Sequence, residues 1–168
     1  MIPTACDGSR DSGSLWPKAR SAREKAAGGV AVGQAKADMA ISGACLCGSV
    51  RFTVRGPLRE VLICHCSQCR KMSGHYWAST SAHRDCVEIR EDGSLRWYQS
   101  SSKAKRGFCG HCGSSLFWSH AEKDSLSIAA GALDMPTGLG TGAHIFFDDA
   151  SDYYRVHPDE ATLDGSSF

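Results

Sequence analysis

The sequence predicts an all-β domain built from short strands, and three observations support that fold class. Apolar and polar residues alternate with a period of two in several short stretches, as they do in half-buried strands. No stretch has an amphipathic pattern long enough for a helix of three turns. Cysteine pairs lie beside glycines, as in zinc knuckles, and two such knuckles would hold the sheets of a mixed short-strand domain together.

The predicted strands can be placed in order along the chain. Val50, Phe52 and Val54 alternate with polar residues, and Gly56-Pro57 ends this strand. A hairpin turn is predicted at Asp92-Gly93. The other predicted segments are strands at 60–64, 76–81, 86–90, 95–99, 113–118, 126–130 and 143–147, a short helical turn at 67–73, and a turn at 148–154 that leads to a short terminal segment.

Residues 1–38 differ from the rest of the chain in composition. They consist mainly of Ala, Gly, Ser and charged residues, with too few large apolar side chains to build a core. We therefore predict a disordered or non-native N-terminal extension at 1–38 and one zinc-binding domain at 39–168. Because sequence typical of an ordered domain begins at Met39, we hypothesise that Met39 is the natural start.

The charge of the chain argues against several kinds of partner. The formal net charge is +1, and residues 39–168 hold 13 Lys and Arg against 14 Asp and Glu. This balance gives no electrostatic reason to expect nucleic acid or an acidic membrane surface as a partner, and it weighs against a nucleic-acid-binding zinc ribbon. No apolar run approaches the ~20 residues that a membrane-spanning helix requires.

The cysteine content predicts a cytoplasmic, reduced protein. The chain has nine cysteines, an odd number, and its N-terminus lacks the apolar segment of a secretory signal. A disulfide framework is the alternative, but CxC and CxxC spacings beside glycines are typical of metal-binding thiols.

Two cysteine pairs can close one metal site by themselves. Cys45 and Cys47 form a CxC, and Cys109 and Cys112 form a CxxC. Structural zinc is almost always bound by four protein ligands, the number that these two pairs supply. On a regular strand the Cα atoms of a CxC lie roughly 6.6 Å apart, so the backbone must kink to bring both sulfurs to one ion, and the neighbouring glycines allow this.

The remaining cluster is one ligand short of a closed site. Cys64, Cys66 and Cys69 place three thiols within a short stretch. Catalytic zinc commonly keeps three protein ligands and leaves the fourth position to water or substrate, which is the arrangement that this triplet predicts.

Four segments of the chain resemble the glutathione-dependent formaldehyde-activating family, which also contains centromere protein V. They occur in the family's order and together span about 41–154. The matching segments are Gly43-Ala44-Cys45-Leu46-Cys47-Gly48-Ser49-Val50-Arg51-Phe52, Cys64-His65-Cys66-Ser67-Gln68-Cys69-Arg70-Lys71, Phe108-Cys109-Gly110-His111-Cys112-Gly113 and His144-Ile145-Phe146.

The resemblance implies a fold, two metal ions and a reaction. It implies an all-β fold of the β-tent type, a structural zinc on the two cysteine pairs and a catalytic-type zinc on the triplet. It also implies a carbon–sulfur lyase that forms S-(hydroxymethyl)glutathione from glutathione and formaldehyde, so that the partners are a small thiol and an aldehyde. Coordination to zinc would remove the proton of a thiol, whose ordinary pKa is ~8.5, and leave a thiolate that adds to the aldehyde carbon.

Charge predicts where the thiol substrate would be held. Zinc with three thiolates has a net charge of −1, so a bound substrate thiolate needs cations nearby. Arg70 and Lys71 directly follow the last predicted ligand, and we expect them to meet the carboxylates of glutathione; the alternative is that they belong to a solvated turn.

His65 lies between two predicted ligands, and strand alternation would direct its ring away from the metal. It is either a proton relay or a packed histidine. Trp77, Trp97 and Trp118 each fall in an alternating run, which favours core packing over substrate contact.

A different function stays open beside the lyase. Kinship with centromere protein V would also be consistent with a non-catalytic zinc-binding module that interacts with a protein or with chromatin. Thiols also add to formaldehyde without a catalyst, so the enzyme could use another electrophile or another thiol.

Overall fold

The computed structural model describes residues 40–165. The predictions for 1–38 and for Met39 as a start lie outside these residues, and the domain boundary stays a prediction. The described part contains short strands, single 3-10 turns and one α-helix, which confirms the all-β fold class. The strands are β1 Ala40–Ala44, β2 Val50–Arg55, β3 Val61–Cys64, β4 Trp77–His83, β5 Val87–Glu91, β6 Leu95–Gln99, β7 Ala104–Cys109, β8 Ser115–His120, β9 Ser125–Ala129, β10 Thr141–Ile145 and β11 Thr162–Leu163.

The strands form two open sheets. The small sheet has the order β1-β2-β5, and the large sheet has the order β11-β10-β3-β4-β9-β8-β7-β6. Strand β10 pairs in parallel with β3 and with β11, and the other pairings are antiparallel. Because β3 pairs with both β10 and β4, its C-terminal end lies in the interior of the large sheet.

Strand β7 was not predicted, and its burial pattern gives the reason. Two positions that face the protein interior hold Arg106 and Gly107 rather than apolar side chains, so the period-two signal is lost. A Cβ atom at Gly107 would lie 3.1 Å from the rings of Phe117 and Trp97, so glycine permits the close contact between neighbouring strands here.

The main core lies between the two sheets. Val50, Phe52 and Val54 of β2 are buried, as their alternation predicts, and they pack with buried residues of β8 and β9. The rings of Phe52 and Phe117 meet edge to face with centroids 5.3 Å apart. Full burial of such a side chain stabilises a fold by about 1.5–3 kcal/mol, so this contact between the sheets contributes strongly to stability.

A second core cluster supports the end of β3 and the helix that follows it. It joins Leu62, Trp77, Ala129 and Ile145 to two of the triplet cysteines. Helix α1, Ser67–Ser73, begins directly after its N-cap residue, Cys66. It ends at Gly74, whose φ of 80° is the left-handed conformation that glycine adopts without a Cβ clash.

Among residues 40–165, no helix is long and apolar enough to cross a membrane.

Candidate metal centres and cavity

Two groups of cysteines bring their sulfur atoms together in the described part of the chain. In each group, all Sγ atoms lie within 4.8 Å of one another. We call them the four-thiol cluster, which consists of Cys45, Cys47, Cys109 and Cys112, and the three-thiol cluster, which consists of Cys64, Cys66 and Cys69.

The four-thiol cluster has the dimensions of a tetrahedral site. The Sγ atoms of Cys45 and Cys47 are 3.5 Å apart, and those of Cys47 and Cys109 are 3.7 Å apart. Four sulfurs at ~2.3 Å from one zinc ion would be separated by roughly 3.8 Å. The donor set and its spacing therefore fit a zinc ion.

Turns from both sheets build the four-thiol cluster. Gly48, with φ 78°, and Gly113, with φ 77°, allow the tight turns after β1 and after β7. The Val50 amide donates a hydrogen bond to Cys45 Sγ at 3.3 Å. A hydrogen bond with Ser114 lowers the pKa of Cys112 to about 5, whereas burial raises the pKa of Cys109 to about 11. The cluster thus holds thiols of unequal acidity at the junction of the sheets.

The three-thiol cluster is built locally. Cys64 ends β3, Cys66 is the N-cap of α1, and Cys69 lies in the first turns of that helix. The Cys69 amide N–H donates to Cys66 Sγ at 3.5 Å. Hydrogen bonds from Cys64 and Cys69 lower the pKa of Cys66 to about 2, and the contact with Cys66 raises the pKa of Cys64. The three sulfurs therefore lie close enough for the contacts among them to favour the thiolate form of Cys66.

Within residues 40–165, no His, Asp or Glu completes the three-thiol cluster. His65 turns away from it and is fully buried. Its Nε2 lies 2.7 Å from Nδ1 of His144, and its Nδ1 forms a hydrogen bond with the hydroxyl of Tyr154. Nε2 of His144 lies 3.4 Å from a carboxylate oxygen of Glu160. His65 is thus a buried histidine in a polar network, and burial lowers its pKa.

A cavity of about 500 Å³ opens beside the three-thiol cluster. All three cysteines line it, and its volume lies in the range that suits a small-molecule ligand. Apolar and aromatic side chains form much of its wall, among them Leu62, Trp77, Trp118, Ile145 and Phe146. The cations that line the cavity are Arg59, Arg106 and Lys123.

The structure places Arg70 and Lys71 elsewhere. Both lie on α1, where Arg70 is half-buried and Lys71 is exposed, and neither lines the cavity. Arg59 stands in the wall instead, where its Nε donates to Ser81 Oγ at 3.2 Å and its Nη1 donates to the Glu60 carbonyl oxygen at 2.7 Å. Burial lowers the pKa of Arg59 to about 10.

The sequence also did not predict that two tryptophans and strand β7 line the cavity. Trp77 packs in the second core cluster, as predicted, but Trp77 and Trp118 line the cavity as well. Phe146, another lining residue, has a φ of 54°, a conformation that non-glycine residues adopt rarely and often at functional sites. Local alternation gave no signal for β7, because the charged Arg106 interrupts an otherwise strand-like stretch before the CxxC.

Together, these features define a class of protein: a small all-β, cysteine-rich domain with one closed and one open thiol cluster, the open one facing a small-molecule cavity. The model of the glutathione-dependent formaldehyde-activating enzyme family matches residues 40–149, and the chain belongs to that family.

Two relatives agree with this assignment. The chain is 33% identical over 87 residues to a putative glutathione-dependent formaldehyde-activating enzyme of Halomonas elongata, a match that covers 47% of this chain and 55% of the relative. It is 28% identical over 114 residues to an uncharacterized lyase of Schizosaccharomyces pombe, covering 67% of this chain and 82% of the relative. The family and these relatives support an enzyme of the lyase kind.

A solved structure shares the fold. The crystal structure of a Rhodobacter sphaeroides protein matches with a TM-score of 0.50 and 21% identity, covering 73% of this chain and 98% of that chain. At this identity the likeness concerns the fold alone.

Proposed function

We propose that this protein is a zinc-dependent carbon–sulfur lyase that forms S-(hydroxymethyl)glutathione from glutathione and formaldehyde, or that acts on a related pair of thiol and electrophile. The observation that carries the proposal is the three-thiol cluster, which is one ligand short of a closed site and lines a cavity of small-molecule size. The family membership supports the same class of reaction.

The two clusters have different roles in this proposal. The four-thiol cluster holds a structural zinc, as its sulfur separations of 3.5 and 3.7 Å support. The three-thiol cluster holds a catalytic-type zinc, which would supply an open coordination position and lower the pKa of a thiol there. Thiolate ligands require reducing conditions, so a cytoplasmic location forms part of the proposal.

The chain's own residues bind and orient the reactants. Trp77 and Trp118 line the cavity, where their rings would exclude water around a bound substrate and so strengthen the electrostatic interactions there. Arg59 and Lys123 stand in the wall, where they can meet the carboxylates of glutathione. Arg70 and Lys71 on α1 stay candidates for the same task.

The reaction needs no oxidant or reductant. The sulfur of the thiolate donates an electron pair to the aldehyde carbon and forms the C–S bond. The π electrons of the carbonyl group move to its oxygen, which takes a proton from solvent. In the lyase direction the same C–S bond breaks and the carbonyl group forms again.

The test combines metal content with catalysis. Elemental analysis is expected to find about two zinc ions per chain in the wild type and about one in Cys66→Ala. Calorimetry is expected to detect glutathione binding in the wild type only. Thiols add to formaldehyde spontaneously, so the uncatalysed rate must be measured as well. Exchange NMR with ¹³C-formaldehyde would measure the rate of exchange between formaldehyde and its glutathione adduct, with and without protein. Two zinc ions without faster exchange would favour the non-catalytic zinc module instead.

A further inference from the structure

Arg106 is a buried cation in the wall of the cavity. It lies on β7 and is 5% exposed. Its Nη2 is 3.6 Å from Cys69 Sγ and 3.4 Å from Gln68 Oε1, and its Cζ lies 6.0 Å from the ring centre of Trp77. The guanidinium thus sits against the three-thiol cluster and an aromatic wall.

The charge of Arg106 lacks a carboxylate partner in the part of the chain that the structure describes. No Asp or Glu oxygen there lies within 4.0 Å of it. Its Nε is buried and forms no hydrogen bond with residues 40–165. The three-thiol cluster is the anionic neighbour of Nη2, but Nε stays without an acceptor, and a buried N–H without an acceptor costs stability. This arrangement therefore indicates that a further acceptor, most favourably an anion, completes the site.

The proposed function brings anionic sulfurs to Arg106, which already contacts Cys69 Sγ. A divalent zinc ion with three thiolates has a net charge of −1, and a substrate thiolate beside it would bring the total to −2. A guanidinium has five N–H donors in a planar fork, so it can contact Cys69 Sγ through Nη2 and still have Nε available for a second acceptor.

We propose that Arg106 binds the thiol substrate as its thiolate and holds the sulfur next to the three-thiol cluster. This inference rests on the proposed function, which it deepens by naming the residue that selects the ionised form of the substrate. In this arrangement Arg106 supplies the counter-charge at the reacting sulfur, whereas Arg59 and Lys123 are left for the carboxylates of glutathione.

The test measures the affinity of the zinc-loaded protein for three compounds. Glutathione has a thiol and carboxylates, 2-mercaptoethanol has a thiol without a carboxylate, and S-methylglutathione has the carboxylates without a free thiol. In Arg106→Met we expect both thiols to bind about tenfold more weakly, while S-methylglutathione binds as in the wild type. Arg106→Lys keeps the charge but loses the fork, so its affinity for both thiols is expected to lie in between.

The chain offers a matched control in Lys105. This residue is the neighbour of Arg106 on β7 but points to the other face, where its Nζ lies 4.6 Å from the ring centre of Trp97. Lys105→Met removes the same formal charge without touching the cavity, since Lys105 is not among the residues that line it. It should bind all three compounds with wild-type affinity.

The pH profile of thiol binding gives a second readout that a purely structural role would not change. If Arg106 stabilises the thiolate, the pH below which glutathione binding weakens should rise by about one unit in Arg106→Met, which matches a tenfold loss. Thermal melting monitors folding in parallel. Arg106→Gln, which keeps polar atoms near Gln68, replaces Arg106→Met if that variant does not fold.

Two outcomes would overturn the inference, and a third would refute the proposed function. Weaker glutathione binding with unchanged 2-mercaptoethanol binding would mean that Arg106 holds a carboxylate, and this would overturn the inference. Unchanged binding of both thiols would overturn it too. A wild-type protein that contains zinc in the three-thiol cluster but binds neither thiol would refute the proposed function itself, whatever the variants do.

Discussion

The two thiol clusters differ in how the chain builds them, and the difference supports the separate roles that we propose for them. The four-thiol cluster joins turns that are far apart in sequence, such as those of Cys47 and Cys109, and it lies where the two sheets meet. The three-thiol cluster comes from one strand end and the helix after it. A metal ion in the first cluster therefore cross-links the fold, whereas one in the second is held by a single local segment beside a cavity.

Ligand number and chain connectivity together determine how strongly a metal site stabilises the fold. A site that closes a long loop restricts the unfolded chain strongly, and binding of its metal is then coupled to folding. A site within one short segment restricts the chain little, so it can keep an open position with less cost to the fold.

Cys109→Ala should abolish folding or destabilise the domain by several kcal/mol. Cys109 is fully buried and belongs to the cluster between the sheets, so its loss leaves three ligands and a cavity at the junction. Since folded domains are stable by only about 5–15 kcal/mol, this loss is a large share of the total. Circular dichroism melts would measure it, and a wild-type melting curve for Cys109→Ala would contradict the structural role.

Cys69→Ala is the matched variant in the other cluster. We expect its fold to be retained and its thiol-dependent activity to fall by more than about 100-fold. Mutation of a residue that only orients a metal ligand costs about 10–100-fold in activity, and loss of the ligand itself should cost more. Activity by exchange NMR and melting curves would be recorded on the same samples. If Cys69→Ala and Cys109→Ala were destabilised equally, the division between the clusters would be wrong.

A chelator should remove the two zinc ions one after the other. A site with three protein ligands and an open position is expected to lose zinc at a lower chelator concentration than the closed four-ligand site. Elemental analysis should then show a plateau near one zinc ion per chain, at which glutathione binding is lost while the melting temperature changes little. Loss of both ions in a single step would argue against two distinct sites.

The smallest expected effect concerns the exposed lysines. Lys123 lines the cavity and Lys71 does not, although both are solvent-exposed. Lys123→Met should weaken glutathione binding by about twofold to fivefold, as expected for an exposed ion pair, and Lys71→Met should leave it unchanged. Calorimetry would distinguish them. The reverse result would support the sequence-based prediction that α1 holds the carboxylates.

Local sequence patterns predicted much of the fold, and they predicted which cysteines are the candidate metal ligands. The alternation in β2 was visible because each inward position holds a large apolar side chain. The short helical turn predicted at 67–73 was confirmed as helix α1, which ends at Gly74 in the left-handed conformation. Strand β7 was missed because Arg106 occupies an inward position, and only contact with the cavity explains a charge there.

The sequence by itself determined the fold class and the spacing within each cysteine pair and within the triplet, because period-two alternation and close thiol spacing act between residues that are near one another in the chain. The order of the motifs along the chain identified the family. The tertiary structure decided which side chains share the cavity. Arg106 on β7 meets Cys69 on α1, and Trp118 on β8 joins Trp77 on β4, only because strand pairing brings these elements together. Such contacts depend on sheet order, which local patterns do not specify.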